Sequence, residues 1–464
     1  MTASLPRFVR HGGSIRVHAF ILVGCLFYVV ITAWLLQSAY DIAGGVLVAH
    51  LLALPTVPLV LRIIRSESDR RVRSIIVGGL AFKFFGTLAR FAMVFSVYGG
   101  GDAFVYDRVG GALAEGFRNG NFTLDSTQQL VGTGFIEILT GVIYTLTGPT
   151  RLGGFLVYSW LGYLGLCLLY CAFRLAVPRG DRRRYAALIF FLPSMAFWPS
   201  SIGKEAWMTL VLGMTAYGVA QLVSRRRRAV LWLAGGIAGS AVVRPHIAIT
   251  LVVALGVAYL FTGARRASFA APIAKVAGLL TLLVVFGLVL STVESKFKLE
   301  DGAGVEEVFE RTRQQTSAYD GSSFQAVGAR SPADLPLAAF SVLFRPLPFE
   351  ASNLQALAAS LEGTLLLFLF VRHWRKLGNL MPRRRAPYLA FVSVYSLLFV
   401  IAFSNFGNFG LLARQRVQVF PFILGLLAVS RERREPEMDL GAASHAPVGR
   451  APSRAAAVAR AGKA

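Results

Sequence analysis

Six cations stand beside proline or glycine breaks in otherwise apolar sequence. They are Lys204, Arg244, His246, Arg345, Arg414 and Arg416, in the strings PSSIGKE (199–205), VRPH (243–246), FRPLPFE (344–350) and NFGNFGLLARQR (405–416). A guanidinium presents a planar fork that matches phosphate oxygens, so a group of them points to an anionic, phosphorylated ligand. For each cation taken singly, contact with lipid head groups is an equal reading. Arg414 and Arg416 are two residues apart, so only one of them faces a common site if the segment is helical.

The carboxylates available to such a site are Asp102, Asp107, Glu115, Glu137, Glu205, Glu350 and Glu362. Asp102 follows Gly99, Gly100 and Gly101, which let the chain turn tightly and approach a ligand closely. A carboxylate placed there suits a general base acting on a hydroxyl. The plainer alternative is helix capping, with Asp102 or Asp107 accepting from the first free N–H groups of a following helix. Glu205 next to Lys204, and Glu350 near Arg345, also read as simple charge partners. No HxxxH, CxxC, P-loop, GxGxxG or GxSxG pattern occurs, so metal, nucleotide and serine-hydrolase chemistry have no motif here. Cys25, Cys167 and Cys171 fall in apolar runs and read as small buried residues.

The elements that must position these groups are apolar helices. Of 464 residues, 55% are hydrophobic and only 16% charged, and the mean hydropathy is +0.58. Soluble domains average about 25% charged. The apolar residues form long continuous runs separated by short arginine-rich stretches, which predicts an all-α, polytopic transmembrane bundle. A soluble enzyme, a coiled coil, a secreted disulfide scaffold and a porin-type barrel are excluded. The expected spans are 17–37, 42–61, 74–98, 153–177, 185–198, 205–223, 229–243, 247–262, 270–293, 353–371, 387–404 and 410–429, about twelve in all. Residues 131–148 carry Glu137 and read as a helix at the outer interface, because a further crossing would put the arginines of 179–184 outside. Lys83 and Arg90 share a face of the third span and read as snorkelling to its opposite ends, with Arg90 able to reach the site.

The formal charge of +24 follows this topology. With the N-terminus in the cytoplasm, the arginine-rich loops 62–73, 178–184, 224–228 and 372–385 are all inside, as the positive-inside rule requires. No basic patch is left over for nucleic acid, while the inner arginines favour anionic lipid. The first apolar run lacks a cleavage pattern and reads as a retained anchor. The layout is a cytoplasmic arm (1–16), a transmembrane domain (17–430) and a cytoplasmic tail (431–464) too poor in apolar residues to fold. Two longer outer loops, 99–152 and 294–352, carry interfacial helices, with a helix expected at 305–315 and a turn at 318–324. Asp102 and the six cations then all lie at or near outer ends of spans. That clustering points to a site at the outer interface.

From Asp102 the chain reads DAFVYDRVGGALAEG, with Asp102, Tyr106, Gly110, Leu113 and Gly116 at offsets of 0, 4, 8, 11 and 14. This run resembles the first outer loop of the C-type membrane glycosyltransferases, in which an acidic residue follows an early span and begins an interfacial helix. The strings WPSSIGKE (198–205), RPH (244–246), RPLPFE (345–350) and RxR (414–416) are similar to those in membrane proteins of bacterial polysaccharide loci. Two features depart from the family: the motif follows the third span rather than the first, and Ala103 replaces the second acid of the common pair.

The resemblance implies an enzyme of the bacterial cytoplasmic membrane, with both termini cytoplasmic. It would transfer a sugar from a polyprenyl-phosphate-linked donor to an envelope glycan or lipid acceptor at the outer face. Asp102 would match the catalytic base. Tyr106, Lys204, Glu205, Arg244, His246, Arg345, Glu350, Arg414 and Arg416 would line the substrate site. No resident cofactor or metal is implied, and the need for a divalent ion stays open. Two other readings remain. An O-antigen-polymerase-like or ligase-like enzyme would rest mainly on the arginines. A transporter would place its polar groups near the midplane and show repeated halves, neither of which is visible in the sequence.

Overall fold

The computed structural model describes residues 40–123, 130–260, 322–378 and 387–429, with single positions in 22–34, at 287 and in 313–316. These belong to one unit, Met1–Val429. The expected arm 1–16, the tail 431–464, the helix at 305–315 and the spans 17–37 and 270–293 lie outside the described residues, single positions aside.

The regular elements among the described residues are all helices, with no strand; the lone β-bridge there joins Ser323 to Asn408. In chain order the helices are α1 (Tyr40–Arg65), α2 (Arg70–Ala92), α3 (Asp102–Arg118), α4 (Thr133–Thr147), α5 (Arg151–Ala176), α6 (Arg182–Phe191), α7 (Pro193–Phe197) and α8 (Lys204–Val223). They continue as α9 (Ala229–Val243), α10 (Pro245–Leu260), α11 (Leu335–Phe344), α12 (Leu354–Gly378), α13 (Pro387–Phe403), α14 (Phe409–Gln415) and α15 (Phe420–Leu427). Five helical stretches are long and apolar enough to cross a membrane: Tyr40–Arg65, Arg70–Tyr98, Arg151–Ala176, Lys204–Val223 and Leu354–His373. In α4, 15 residues rise about 22 Å at ~1.5 Å each, short of the ~30 Å hydrocarbon core.

Local chemistry sets the helix starts. Asp69 caps α2 by accepting from Arg71 N, Thr150 caps α5 through Gly153 N, Asp181 caps α6 through Arg184 N, and Asn408 caps α14 through Leu411 N. Proline sets several stops. The expected span 185–198 is interrupted at Leu192, because Pro193 has no N–H to continue the ladder and opens α7 instead. The expected span 410–429 is likewise not one helix: α14 passes through a short 3₁₀ turn, Arg416–Gln418, before α15. The outer segment expected at 294–352 contains the apolar helix α11, whose Ala338, Val342 and Leu343 are buried.

Helices α5 and α8 form the centre. They touch backbone to backbone, since a Cβ on Gly165 would sit 2.3 Å from Thr209 O and one on Gly213 would sit 2.5 Å from Gly165 O. Small residues allow this closeness, and within lipid such packing replaces the hydrophobic drive. Lys83 and Arg90 do not snorkel to the ends of their span. Lys83 is buried and donates to Met195 O at 2.9 Å and Pro199 O at 2.8 Å, carbonyls released where α7 breaks off. Arg90 is stacked against Trp198 at 4.9 Å and Phe197 at 5.0 Å. Both are drawn inward because the broken 192–203 segment offers acceptors and aromatic faces that the lipid lacks.

Arginine-rich loops gather at one end of the bundle. Arg183 bonds Asp69, Arg174 bonds Ser66 Oγ at 2.8 Å, and Arg184 meets His373 at 2.8 Å. The candidate site lies at the other end of the same helices.

Candidate functional site

The site begins with a turn only glycine makes easily. Gly99 (φ 61°) ends a π-helical continuation of α2, and Gly101 (φ 107°) precedes α3. A Cβ at either would meet nothing within 4 Å, so the demand is on the backbone and not on space. The turn delivers Asp102 as the first residue of α3. It does not cap the helix: the cap is Gly101, with no side-chain cap bond. Asp107 is not a cap either. It accepts from Tyr144 Oη at 2.5 Å and Arg151 Nε at 3.3 Å, tying α3 to α4 and α5. Burial raises the Asp107 carboxyl above its usual range, against the opposing pull of Tyr144 and Arg151. With no capping duty, the Asp102 carboxylate stays 55% exposed and turns to Arg414.

Arg414 Nη1 donates to Asp102 Oδ2 at 2.8 Å, and its Nε lies 2.7 Å from Glu205 Oε1. Arg244 Nη2 donates to the same Glu205 oxygen, also at 2.7 Å. Glu205, 3% exposed in the first turn of α8, therefore bridges two guanidinium groups. The expected partnership of Glu205 with Lys204 is not formed. Neighbouring residues on a helix point about 100° apart, and Lys204 turns instead to Thr133 Oγ1 at 2.9 Å. Thr133 opens α4, which is brought there by a bond from Gly132 N to Val242 O at 2.7 Å.

Each arginine owes its place to a helix break. Arg244 is non-helical (φ −138°, ψ 81°) because Pro245 follows and disfavours helical geometry in the residue before it. Its side chain is thereby thrown across the end of α8. Arg414 lies in the last turn of the short α14, and the 3₁₀ turn that follows sends Arg416 elsewhere. Arg416 is buried and donates to Leu343 O at 3.0 Å, beside a 250 Å³ cavity that it lines with Glu362 and Ser194. The two arginines thus face different surroundings.

Arg345 belongs to a separate cluster. Its guanidinium holds Glu350 in a two-oxygen pairing, Nε to Oε1 at 2.9 Å and to Oε2 at 3.2 Å, and stacks over Phe324 at 4.6 Å and Phe409 at 5.2 Å. Burial works against ionisation of Glu350, but bonds from Arg345 and Leu347 N outweigh it and hold the carboxyl below its usual range. The charge-partner reading describes this pair. His246, in the first turn of α10, packs its ring 6.1 Å from that of Phe403. Tyr106 is buried one turn below Asp102 and lies against the loop before α8, with a Cβ on Gly203 3.9 Å from its ring.

The residues brought together are thus Asp102, Glu205, Arg244 and Arg414, with Tyr106 beneath them and Lys204 with Thr133 beside them. Thr133 carried no signal in the sequence; only the meeting of α4 with α8 makes it part of the site. Among the described residues no group of three or more His, Cys, Asp or Glu is placed to hold a metal ion. The chain matches no known protein family, no curated protein and no solved structure.

Chemically, the arrangement offers an accessible carboxylate paired with a guanidinium, beside a buried glutamate that fixes two arginines. Nη1 of Arg244 is buried and has no hydrogen-bond partner among the described residues. A buried donor of that kind costs free energy unless something accepts from it.

Proposed function

We propose that the chain is a polytopic membrane glycosyltransferase similar to the C-type enzymes, with about twelve spans in the bacterial cytoplasmic membrane and both termini in the cytoplasm. In this reading it moves a sugar from a polyprenyl-phosphate-linked donor to an envelope glycan or lipid acceptor at the outer face. The observation that carries it is the pairing of exposed Asp102 with Arg414 at 2.8 Å, over the Glu205–Arg244 pair.

The acceptor hydroxyl would give its proton to Asp102 as its oxygen bonds the anomeric carbon. The bond from that carbon to the phosphate oxygen breaks, and its electron pair stays on the phosphate. Fixed arginines stabilise that growing charge more in the transition state than in the ground state. Arg414 holds and aims the Asp102 carboxylate, and the open donor of Arg244 would pair with an anion.

That open donor also supports a second reading, an arginine-centred polymerase or ligase joining lipid-linked glycans. Turnover of a labelled polyprenyl-phosphate sugar by purified Asp102→Asn separates the two. A general base is worth on the order of 10²–10⁴ in rate, so transfer should fall by that factor with donor binding kept. Near-normal turnover removes Asp102 from the chemistry and leaves the arginine-centred reading.

A further inference from the structure

A second cleft opens at the arginine-loop end of the bundle, where α1, α5, α8 and α9 meet. Its volume is about 870 Å³, within the ~300–1,000 Å³ of small-molecule sites. Leu59, Leu164, Leu168, Leu210 and Met214 form its walls. Its mouth carries Arg62, Arg174, Arg226, Arg227 and Arg228. No Asp or Glu is among the described residues that line it. The adjacent acid, Glu67, is taken up by Arg174 and Arg182, each at 3.6 Å, and by Tyr170 Oη at 2.6 Å. Four arginines at the mouth therefore keep their charge uncompensated by the cleft itself.

The arginine loop is folded into place over the cleft. Arg226 N donates to Gln221 O at 2.9 Å and Ala229 N to Arg226 O at 3.1 Å. Arg225 takes φ 55°, a conformation side chains rarely adopt, to turn the chain from α8 into α9. This turn sets Arg226, Arg227 and Arg228 above Met214 and Trp232 at the cleft. Three adjacent like charges repel one another, and an anion between them removes the repulsion. An apolar slot under a cationic rim matches one chemistry, a molecule with hydrocarbon tails and an anionic head. A head carrying its own amine would be repelled in part by the same arginines.

We propose that this cleft binds one anionic phospholipid from the leaflet on its side, with an acyl chain in the groove walled by Leu59, Leu164, Leu168, Leu210 and Met214 and the phosphate against Arg62 and Arg226–Arg228. The site is distinct from that of Glu205. From Glu205 to Gln221, α8 rises about 24 Å at ~1.5 Å per residue, and the two residues mark its opposite ends. The proposal needs the chain to sit in a bilayer but not that it transfer sugars, so its failure leaves the glycosyl-transfer reading untouched.

The full chain, purified in detergent, is titrated with phosphatidylglycerol and with phosphatidylcholine of the same tails, with binding read by native mass spectrometry. Cys171 lines the cleft, so its maleimide labelling rate gives a second, local readout. Phosphatidylglycerol is expected to bind and to slow labelling of Cys171, and phosphatidylcholine to do neither. Each arginine near an anionic surface is worth about a factor of five. Arg227→Gln alone should then weaken binding about fivefold, and the Arg226, Arg227 and Arg228 triple Gln variant about a hundredfold. Met214→Trp, which fills the slot and keeps every charge, should abolish binding. Arg70→Gln with Arg71→Gln, at the start of α2 and outside the cleft lining, should leave it unchanged. The proposal is overturned if the two lipids bind alike, if Met214→Trp binds as wild type, or if the Arg70 and Arg71 control loses as much as the triple variant. Glycerol phosphate binding as tightly as the lipid would also overturn it, since that marks a free-phosphate site.

Discussion

Asp102 and Arg414 lie 312 residues apart in the chain and 2.8 Å apart in space. Arg414 carries the contact onward, through Nε, to the buried oxygen of Glu205 that Arg244 also holds. An exposed acid and a buried acid thus share one guanidinium, and the two should respond differently to neutralisation.

Glu205→Gln should destabilise the protein by about 3–5 kcal/mol, because it strands two guanidinium groups in a buried setting. Asp102→Asn should cost roughly 0–1 kcal/mol, as for an exposed pair. Unfolding in detergent, followed by temperature or denaturant, measures both. Equal losses would mean that the exposed and buried halves are not energetically separate.

Arg414→Lys should not restore function. Lysine keeps the charge but has a single ammonium in place of the fork that reaches Asp102 and Glu205 together. Loss of one charge-assisted contact is worth about 1.5–3 kcal/mol, or on the order of tenfold to a hundredfold in transfer rate. A turnover assay beside a stability measurement checks this; full activity of the lysine variant would show the fork to be unnecessary.

The Arg345–Glu350 pair should give an acid-sensitive contribution to stability. The Glu350 carboxyl titrates below its ordinary 4.5 in the folded protein. The pair's contribution is therefore complete above that pH and is lost as the pH falls through the lowered value. Comparing wild type with Glu350→Gln from pH 7 down to pH 3 should show a smaller acid loss in the variant. Parallel curves would assign acid sensitivity to other carboxylates.

Gly165→Ala should disrupt the bundle centre. The added Cβ would sit 2.3 Å from Thr209 O, and neither backbone can move aside alone. A loss of more than about 3 kcal/mol is expected, in the upper range for core overpacking. Gly111→Ala, whose nearest contact would be 3.9 Å, is the tolerant control.

The two ends of the bundle should label from opposite sides of the membrane. In a background lacking Cys25, Cys167 and Cys171, a cysteine at exposed Asn121 should react with an impermeant maleimide in intact cells. One at exposed Arg227 should react only after permeabilisation. The reverse pattern would turn the topology over and place the Asp102 site in the cytoplasm.

The long apolar helices were legible in the sequence because they depend on composition over short windows: an apolar run of that length is compatible with a membrane, where it can satisfy its backbone only as a helix. The breaks were legible for the same local reason, since Pro245 and Gly99–Gly101 restrict or free their own dihedrals wherever they occur. Even the divergence of Arg414 from Arg416 followed from a spacing of two. Partner choice was not legible. Lys204 is the sequence neighbour of Glu205, yet the acid is held by Arg244 and Arg414, which arrive from α9 and α14. Lys83 and Arg90 point inward because α7 breaks off beside them, which their own helix does not encode. Arg345 shares the proline-flanked pattern of Arg244 but ends among Phe324, Phe409 and Glu350. A local sequence sets where a helix stops and which charge stands at the stop. The direction that charge takes depends on the crossing of helices hundreds of residues apart, and on which of them leaves a buried oxygen to be met.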